Sequence, residues 1–234
     1  MHNFPIMQET SHPSTVSEQA FQAIRLAVLS GEHAPESKLK VESLQARYGF
    51  SSSPLREALN RLVQEGLVKA DERRGFRVAA MSPEDLDDIT KMRLMLDIPA
   101  LQESMLHGDD VWEANVVAAF HRLEKIEARL PQGPVVLDGQ WSERHRAFHR
   151  ALIAACPSQR QLNWSMSLFD QAERYRHFAA RSRTVAKKKD AEHRALMKAV
   201  LRRDAETAGE MLADHIRSTH TNVMAAFARQ SAKN

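Results

Sequence analysis

VESLQARYGFSSSPLREALNRLVQEGLV, Val41 to Val68, is the stretch whose reading decides the fold. The spacing predicts a short helix over Val41 to Tyr48 that stops at Gly49, then the three-residue connection FSS. A second helix follows, with Ser53 as its cap and Pro54 in its first turn, where a missing backbone N–H costs nothing. Leu55, Leu59, Leu62 and Val63 give this second helix one apolar face. Two short helices around a tight connection outline a helix-turn-helix. Upstream, SEQAFQAIRLAVLSG predicts a helix capped by Ser17, with Phe21, Ile24, Leu26, Val28 and Leu29 as a broad stripe and Gly31 at its end. Downstream, GLVKADERRGFRVAAM holds two apolar segments, Leu67 to Ala70 and Phe76 to Ala80, joined by a charged link ending in Gly75, which reads as a β-hairpin. Three helices and a hairpin make a winged helix-turn-helix, whose third helix enters the major groove while the hairpin tip reaches the neighbouring backbone.

Past Ser82, with Pro83, Glu84 and Asp85 forming a helix start, the pattern is helical throughout. Helices are predicted over 83–106, 110–129, 138–155, 159–183, 187–202 and 204–230, with the clearest loops at LPQGPVVLDG and CPSQRQ. The fold class is therefore mainly α: a flexible arm at 1–16, a winged helix-turn-helix DNA-binding domain at 17–81, and an all-helical antiparallel bundle at 82–230. Composition agrees, since only 8 glycines and 6% aromatics stand against ample apolar content, 43% of 234 residues. The lone Cys156 excludes a disulfide framework, and no apolar run is long enough for a signal sequence or a membrane span. A soluble, cytoplasmic protein is expected. A net charge of +3 permits nucleic-acid binding without demanding it.

In the predicted helix over 138–155, WSERHRAFHRAL sets His145 and His149 four residues apart, on one face, where both imidazoles can aim at one point. The spacing is that of H-E-x-x-H metalloproteases, but Arg146, Ala147 and Phe148 intervene and no glutamate stands ready as general base. An enzyme is not expected. The pair alone leaves two readings open: half of a metal site, or one histidine in the core and one in solvent.

The combination PLREAL, RL, EGLV and RRGFRV resembles the DNA-binding domain of the GntR family of bacterial transcription regulators. The helical remainder resembles the FadR branch of that family and its FCD ligand-binding domain. Within the branch, the run from Trp141 to Cys156, followed by LFDQAERYR, is most similar to the glutarate-responsive repressors of the CsiR or GlaR type. On the DNA side, Ser51, Ser52 and Ser53 lie at the start of the recognition helix, where hydroxyls and free N–H groups meet a phosphate or a base edge. Arg56, one turn on, suits a bidentate contact with guanine, against the alternative of an ion pair on a solvated face. Lys40, Arg73, Arg74 and Gly75 serve the DNA backbone. The family commonly has arginine where Ser52 stands, so the resemblance implies altered base reading there.

The resemblance also implies a metal site. FCD domains commonly place an aspartate four residues before the histidine of FH and add two histidines from later helices. Here His145 takes the aspartate's position, His149 keeps its own, and His193 and His215 match the later two. Zinc is the foremost metal for four imidazoles, with nickel, iron and copper as alternatives. Arg93 matches the arginine that FCD domains turn toward their ligand, and Arg174 and Arg176 are further candidates, only one of which should face the pocket. Glu192 is expected in solvent or at a helix end, His121 and His177 receive no role, and RSRTVAKKK reads as a solvated helix junction. The implied function is a homodimeric regulator on double-stranded operator DNA, a repressor released by a small carboxylate, glutarate being the named example. A direct metal sensor and a metalloenzyme are the alternatives.

Overall fold

The computed structural model describes residues 14–71, 75–130, 134–181 and 189–232. Arg73, Arg74, most of the predicted arm and nearly all of RSRTVAKKK lie outside the described residues. The N-terminal region runs α1 (Val16–Leu29), β1 (Lys38–Leu39), α2 (Val41–Tyr48), α3 (Ser52–Gln64), β2 (Val68–Asp71) and β3 (Gly75–Val78). Thr15, not Ser17, caps α1 by accepting from the Glu18 N–H at 3.1 Å. Ser17 instead lies in the first turn and donates to Glu57 of α3 at 2.6 Å. Gly49 closes α2 in the left-handed conformation (φ 74°), which a residue without Cβ adopts freely. The cap of α3 is Ser51 rather than Ser53, so Pro54 sits within the first turn, where no intrahelical N–H is needed.

The first hairpin strand is shifted by one residue from the predicted segment and the second is one residue shorter, and a third strand that the sequence reading missed joins them. The antiparallel order is β1-β3-β2, with Leu39 opposite Phe76 and Val68 opposite Val78. Two residues are too few to show a period of two, which is why β1 left no pattern. Fully buried Ile24, Leu55, Leu59, Leu62 and Leu67 form the centre of this core.

The rest is helical: α4 (Pro83–His107), α5 (Asp110–Glu127), α6 (Gly139–Ile153), α7 (Gln159–Arg181), α8 (Lys189–Leu201) and α9 (Ala205–Ser231). Side chains of Ser82, Asp109, Asp138 and Asp204 cap four of them, each accepting from an N–H three residues on. The bundle core gathers Trp112, Phe120, Phe148, Leu152 and Phe169. No helix among the described residues is long and apolar enough to cross a membrane.

One helix touches both regions. α7 packs on α4, α6 and α9 of the bundle and also on α1, and its residues 172 to 177 are buried on every side. A helix enclosed all round and still carrying charge must find partners for it. Arg174 donates to the carbonyls of Ala79 (2.8 Å) and Ala80 (3.4 Å) in the link between the two regions. Tyr175 donates to Asp85 (2.5 Å) and accepts from the Ser82 N–H (3.2 Å). Asp170 of α7, itself buried, receives Arg25 of α1 (2.6 Å) and a bidentate Arg146 of α6 (2.7 and 3.0 Å).

The helix-turn-helix core predicts a cost for truncation. Leu59→Ala should lower stability by about 2–5 kcal/mol, since the site is fully enclosed and collapses little. Urea unfolding followed by far-UV circular dichroism measures it, and a loss below about 1 kcal/mol would contradict the packing described.

Candidate metal centre and nucleic-acid interface

α6, α8 and α9 bring His145, His149, His193 and His215 together, all buried, with one nitrogen of each within 4.8 Å of the others. Around a single ion with bonds of about 2.0–2.1 Å, ligand nitrogens stand roughly 3–4 Å apart, so modest side-chain adjustments convert this cluster into a coordination sphere. The tautomers favour it. A carboxylate can only accept, so His193 Nδ1, 3.2 Å from Glu127 Oε2, carries the proton and leaves the lone pair on Nε2. His215 Nδ1 stands in the same relation to Glu192 at 3.3 Å. Nε2 of His193 and Nε2 of His149 are buried with no hydrogen-bond partner among the described residues. Two such unpartnered nitrogens in one apolar interior are costly unless a cation or a hydrogen-bonding group meets them, and imidazole nitrogens suit transition metals. The residues present therefore fit the implied ion.

The surroundings hold these rings in place. Burial first, then the neighbouring histidines and Arg93, holds the His149 imidazole well below its usual range. His145 stacks on Trp141 (4.5 Å between ring centroids, 19° interplanar) and faces Glu173 of α7 at 3.6 Å. Phe169 lies 5.0 Å from the His149 ring and 5.2 Å from the His145 ring. Two guanidiniums also lie against it, Arg176 at 4.4 Å and Arg93 at 5.2 Å from the ring centre.

Arg93 and Arg176 thus converge beside the histidines, whereas Arg174 turns to the interdomain link. Arg174 and Arg176 are both buried because α7 is enclosed all round over residues 172 to 177. Arg93 gives Nε and Nη2 to Asp97 of its own helix (3.0 and 2.9 Å), whose carboxyl burial pushes above the usual range. Arg176 gives Nη1 to Glu173 (2.5 Å), while its Nε and Nη2 have no partner among the described residues. Burial lowers this guanidinium to about 10. The cavity between Arg93, Asp97, His149 and Phe169 measures only about 10 Å³, room for about one water. A larger occupant must part these side chains.

At the opposite end, Ser51, Ser52, Ser53 and Arg56 stand exposed on the first two turns of α3. Arg56 has no ion pair among the described residues, and the neighbouring Glu57 is occupied by Ser17. Lys40 is exposed at the cap of α2. Gly75 opens β3 with φ 78° and nothing within 4 Å of where a Cβ would stand, so the wing requires glycine for its backbone and offers an open surface.

Residues 16–78 match the model for bacterial regulatory proteins of the gntR family, and residues 88–218 match the FCD domain. The chain belongs to the GntR family. Similar curated relatives include the HTH-type regulator BphR of Paraburkholderia xenovorans, 41% identical over 202 residues covering 86% of this chain and 82% of that one. Another is the HTH-type transcriptional repressor GlaR of Escherichia coli, 36% identical over 204 residues covering 86% and 92%. Among solved structures, E. coli McbR/YncC superposes with a TM-score of 0.76 at 18% identity, covering 92% of this chain and 100% of that one, a likeness of fold. A structure described as a metal-free FCD domain gives a TM-score of 0.50 at 14% identity, covering 64% and 99%.

As a GntR/FCD protein the chain is a transcriptional regulator and not an enzyme, and its family binds operator DNA, typically as dimers. Sequence reading alone missed the supporting residues. Glu127, Glu192 and Glu173 reach the histidines from three separate helices, so no spacing within one segment announces them. Glu192, expected in solvent or at a helix end, is partly exposed yet faces His215. His177, given no role, is buried and bonded to Ser142 at 2.8 Å.

Two predictions follow from this geometry. Glu127→Gln should weaken metal binding by about 10- to 100-fold while leaving the helical content unchanged, as removal of an orienting carboxylate does elsewhere. Competition with a chromophoric chelator reads it, and unchanged affinity would remove Glu127 from the site. Burial also lowers His33, His149 and His177 in the folded protein. The unfolded chain therefore binds protons at higher pH than the folded one, so this stability is full above about pH 6.5 and falls on acidification. Thermal midpoints of the chelated protein should drop between about pH 7.5 and 5.5, and a rise over that interval would contradict neutral buried imidazoles. Glu65 and Asp97, raised by burial, act with the opposite sign.

Proposed function

We propose that this regulator is a dimeric repressor whose four histidines hold one divalent transition metal, zinc foremost, and that a small carboxylate, glutarate being the leading example, binds beside it and releases the operator. The observation that carries the reading is the convergence of four buried imidazoles on Arg93 and Arg176, two guanidiniums deep in the same interior. The name of the GlaR relative, a transcriptional repressor, supports the sign of the response. Nickel, iron and copper remain the alternatives to zinc, since imidazole suits all four. A metal held by the four imidazoles would take a carboxylate oxygen as an added, fifth ligand. Arg176, with two uncommitted donors, holds the same carboxylate or a second one, and Arg93 joins it on leaving Asp97.

Recognition of DNA falls to Ser51, Ser52, Ser53 and Arg56 at the start of α3, with Lys40, Gly75 and the wing residues Arg73 and Arg74 on the backbone. The signal reaches them through α6 and α7. Arg146 follows the ligand His145 directly in α6 and clamps Asp170, which clamps Arg25 of α1, and Arg25 also reaches Glu65 at the end of α3 (3.3 Å). A ligand that enlarges a cavity of about 10 Å³ shifts α6 against α7 and strains this chain of charges. Release then follows from a lower affinity of the ligand-bound geometry for the operator, the differential binding that any such switch requires.

Operator titration by fluorescence anisotropy, on DNA from upstream of the protein's own gene, tests the reading. Metal-loaded protein should bind tightly and lose about 10-fold or more of its affinity with glutarate, an effect absent after chelation. Indifference to glutarate together with a response to chelation would make the metal itself the signal. Indifference to both would overturn the effector reading. Arg56→Ala should cost about 1–3 kcal/mol in operator affinity without changing metal binding, and an unchanged affinity would place base reading elsewhere. Arg25→Met, which breaks the relay on the α1 side, should retain metal affinity but reduce the glutarate-induced change. An undiminished change would sink the relay.

A further inference from the structure

A second cavity, of about 220 Å³, opens between the two domains, more than 20 times the room beside the metal centre. Its walls come from the end of α1 and the turn that follows on one side, and from α7 on the other. Four of its lining residues can carry positive charge, His33, Arg174, His177 and Arg181, and none of the lining residues is acidic. The rest of the wall is largely apolar, with Met81 and Phe178 on the side of the helical domain.

The buried nitrogen groups of this cavity, one guanidinium and one imidazole, are incompletely satisfied. Arg174 is 4% exposed, gives its two Nη atoms only to main-chain carbonyls, has no ion pair among the described residues, and leaves Nε without a partner. A guanidinium that deep, matched only by neutral carbonyls, favours an incoming anion. His177, 2% exposed, uses Nε2 with Ser142 and leaves Nδ1 without a partner. Arg181 bonds the carbonyl of Ser30, tying the far end of α7 to the end of α1.

We infer that this cavity is a second effector site, distinct from the metal centre, that takes a small carboxylate with an apolar body. The carboxylate lies against Arg174 and His177, and the hydrocarbon lies on Met81 and Phe178. An occupant touches the recognition domain and the ligand domain at once, so it fixes the angle between them and changes operator affinity directly. Straight dicarboxylates are disfavoured, because their second charge meets the apolar wall. This inference does not rest on the metal reading.

Hexanoate is the probe, titrated by isothermal calorimetry into the full-length protein, metal-loaded and chelated, with 1-hexanol as the uncharged control. One site per protomer is expected, with binding kept after chelation and absent for hexanol. Arg174→Met should weaken hexanoate by about 10-fold or more, the scale of a lost charged hydrogen bond. Because that variant also loses the bonds to Ala79 and Ala80, Ala34→Trp serves as a second one. It fills the cavity from an exposed turn without touching those bonds, and should block hexanoate while leaving metal affinity unchanged. No hexanoate binding, binding that chelation abolishes, or binding that survives Ala34→Trp would each overturn the inference.

Discussion

Four imidazoles enclosed in an apolar bundle impose the constraint on which the remainder of the helical domain turns. A buried ring nitrogen with no partner costs free energy, and several together cost more, so the fold must supply either protons or a cation. At His149, burial and the neighbouring histidines oppose protonation. The fold supplies carboxylates at the outer nitrogens instead, Glu127 to His193 and Glu192 to His215, which turn the inner lone pairs toward one another. This arrangement is favourable with a metal and strained without one, and it explains why three separate helices commit polar residues to the centre of a hydrophobic core.

The second consequence concerns α7. A helix buried on all sides is normally apolar, yet this one carries Asp170, Glu173, Arg174, Arg176 and His177 in its enclosed portion. Asp170, Arg174 and His177 are answered from other elements, Glu173 by Arg176 of α7 itself and His145 of α6, and these contacts sort by direction. Arg176 and Glu173 face the histidines, Arg174 faces the interdomain link, and Asp170 joins α6 to α1. Buried ion pairs add little net stability, but they fix register strongly because a lone partner is so unfavourable. Asp170 thus ties α6 to α1, and α1 packs on the recognition helix α3.

Much of this was legible in the sequence because it rests on local rules. Gly49, Pro54 and the apolar face Leu55–Leu59–Leu62 announce the helix-turn-helix, and the helices of the bundle follow from capping residues and a period near 3.6. The histidines at 145 and 149 announce a shared helical face, but their partners at 193 and 215 came only through resemblance, since no spacing rule links separate helices. What stayed illegible is tertiary in origin. β1 is two residues long and exists only because β3 offers it an edge. Ser51 displaces Ser53 as the cap because the helix begins before its proline. The carboxylates behind the histidines, the bridging Asp170 and the enclosure of His177 depend on which helices pack together, and a surface-like charge pattern gave no hint that α7 has no exposed side over these residues.

The most direct test of the account is X-ray absorption at the edge of the metal that copurifies with the protein. A single metal per protomer with about four imidazole nitrogens at roughly 2.0–2.1 Å, and with imidazole scattering diminished by one ring in His193→Ala, is the predicted result. A first shell free of imidazole, or one that His193→Ala leaves unchanged, would contradict the claim that His145, His149, His193 and His215 form one metal centre.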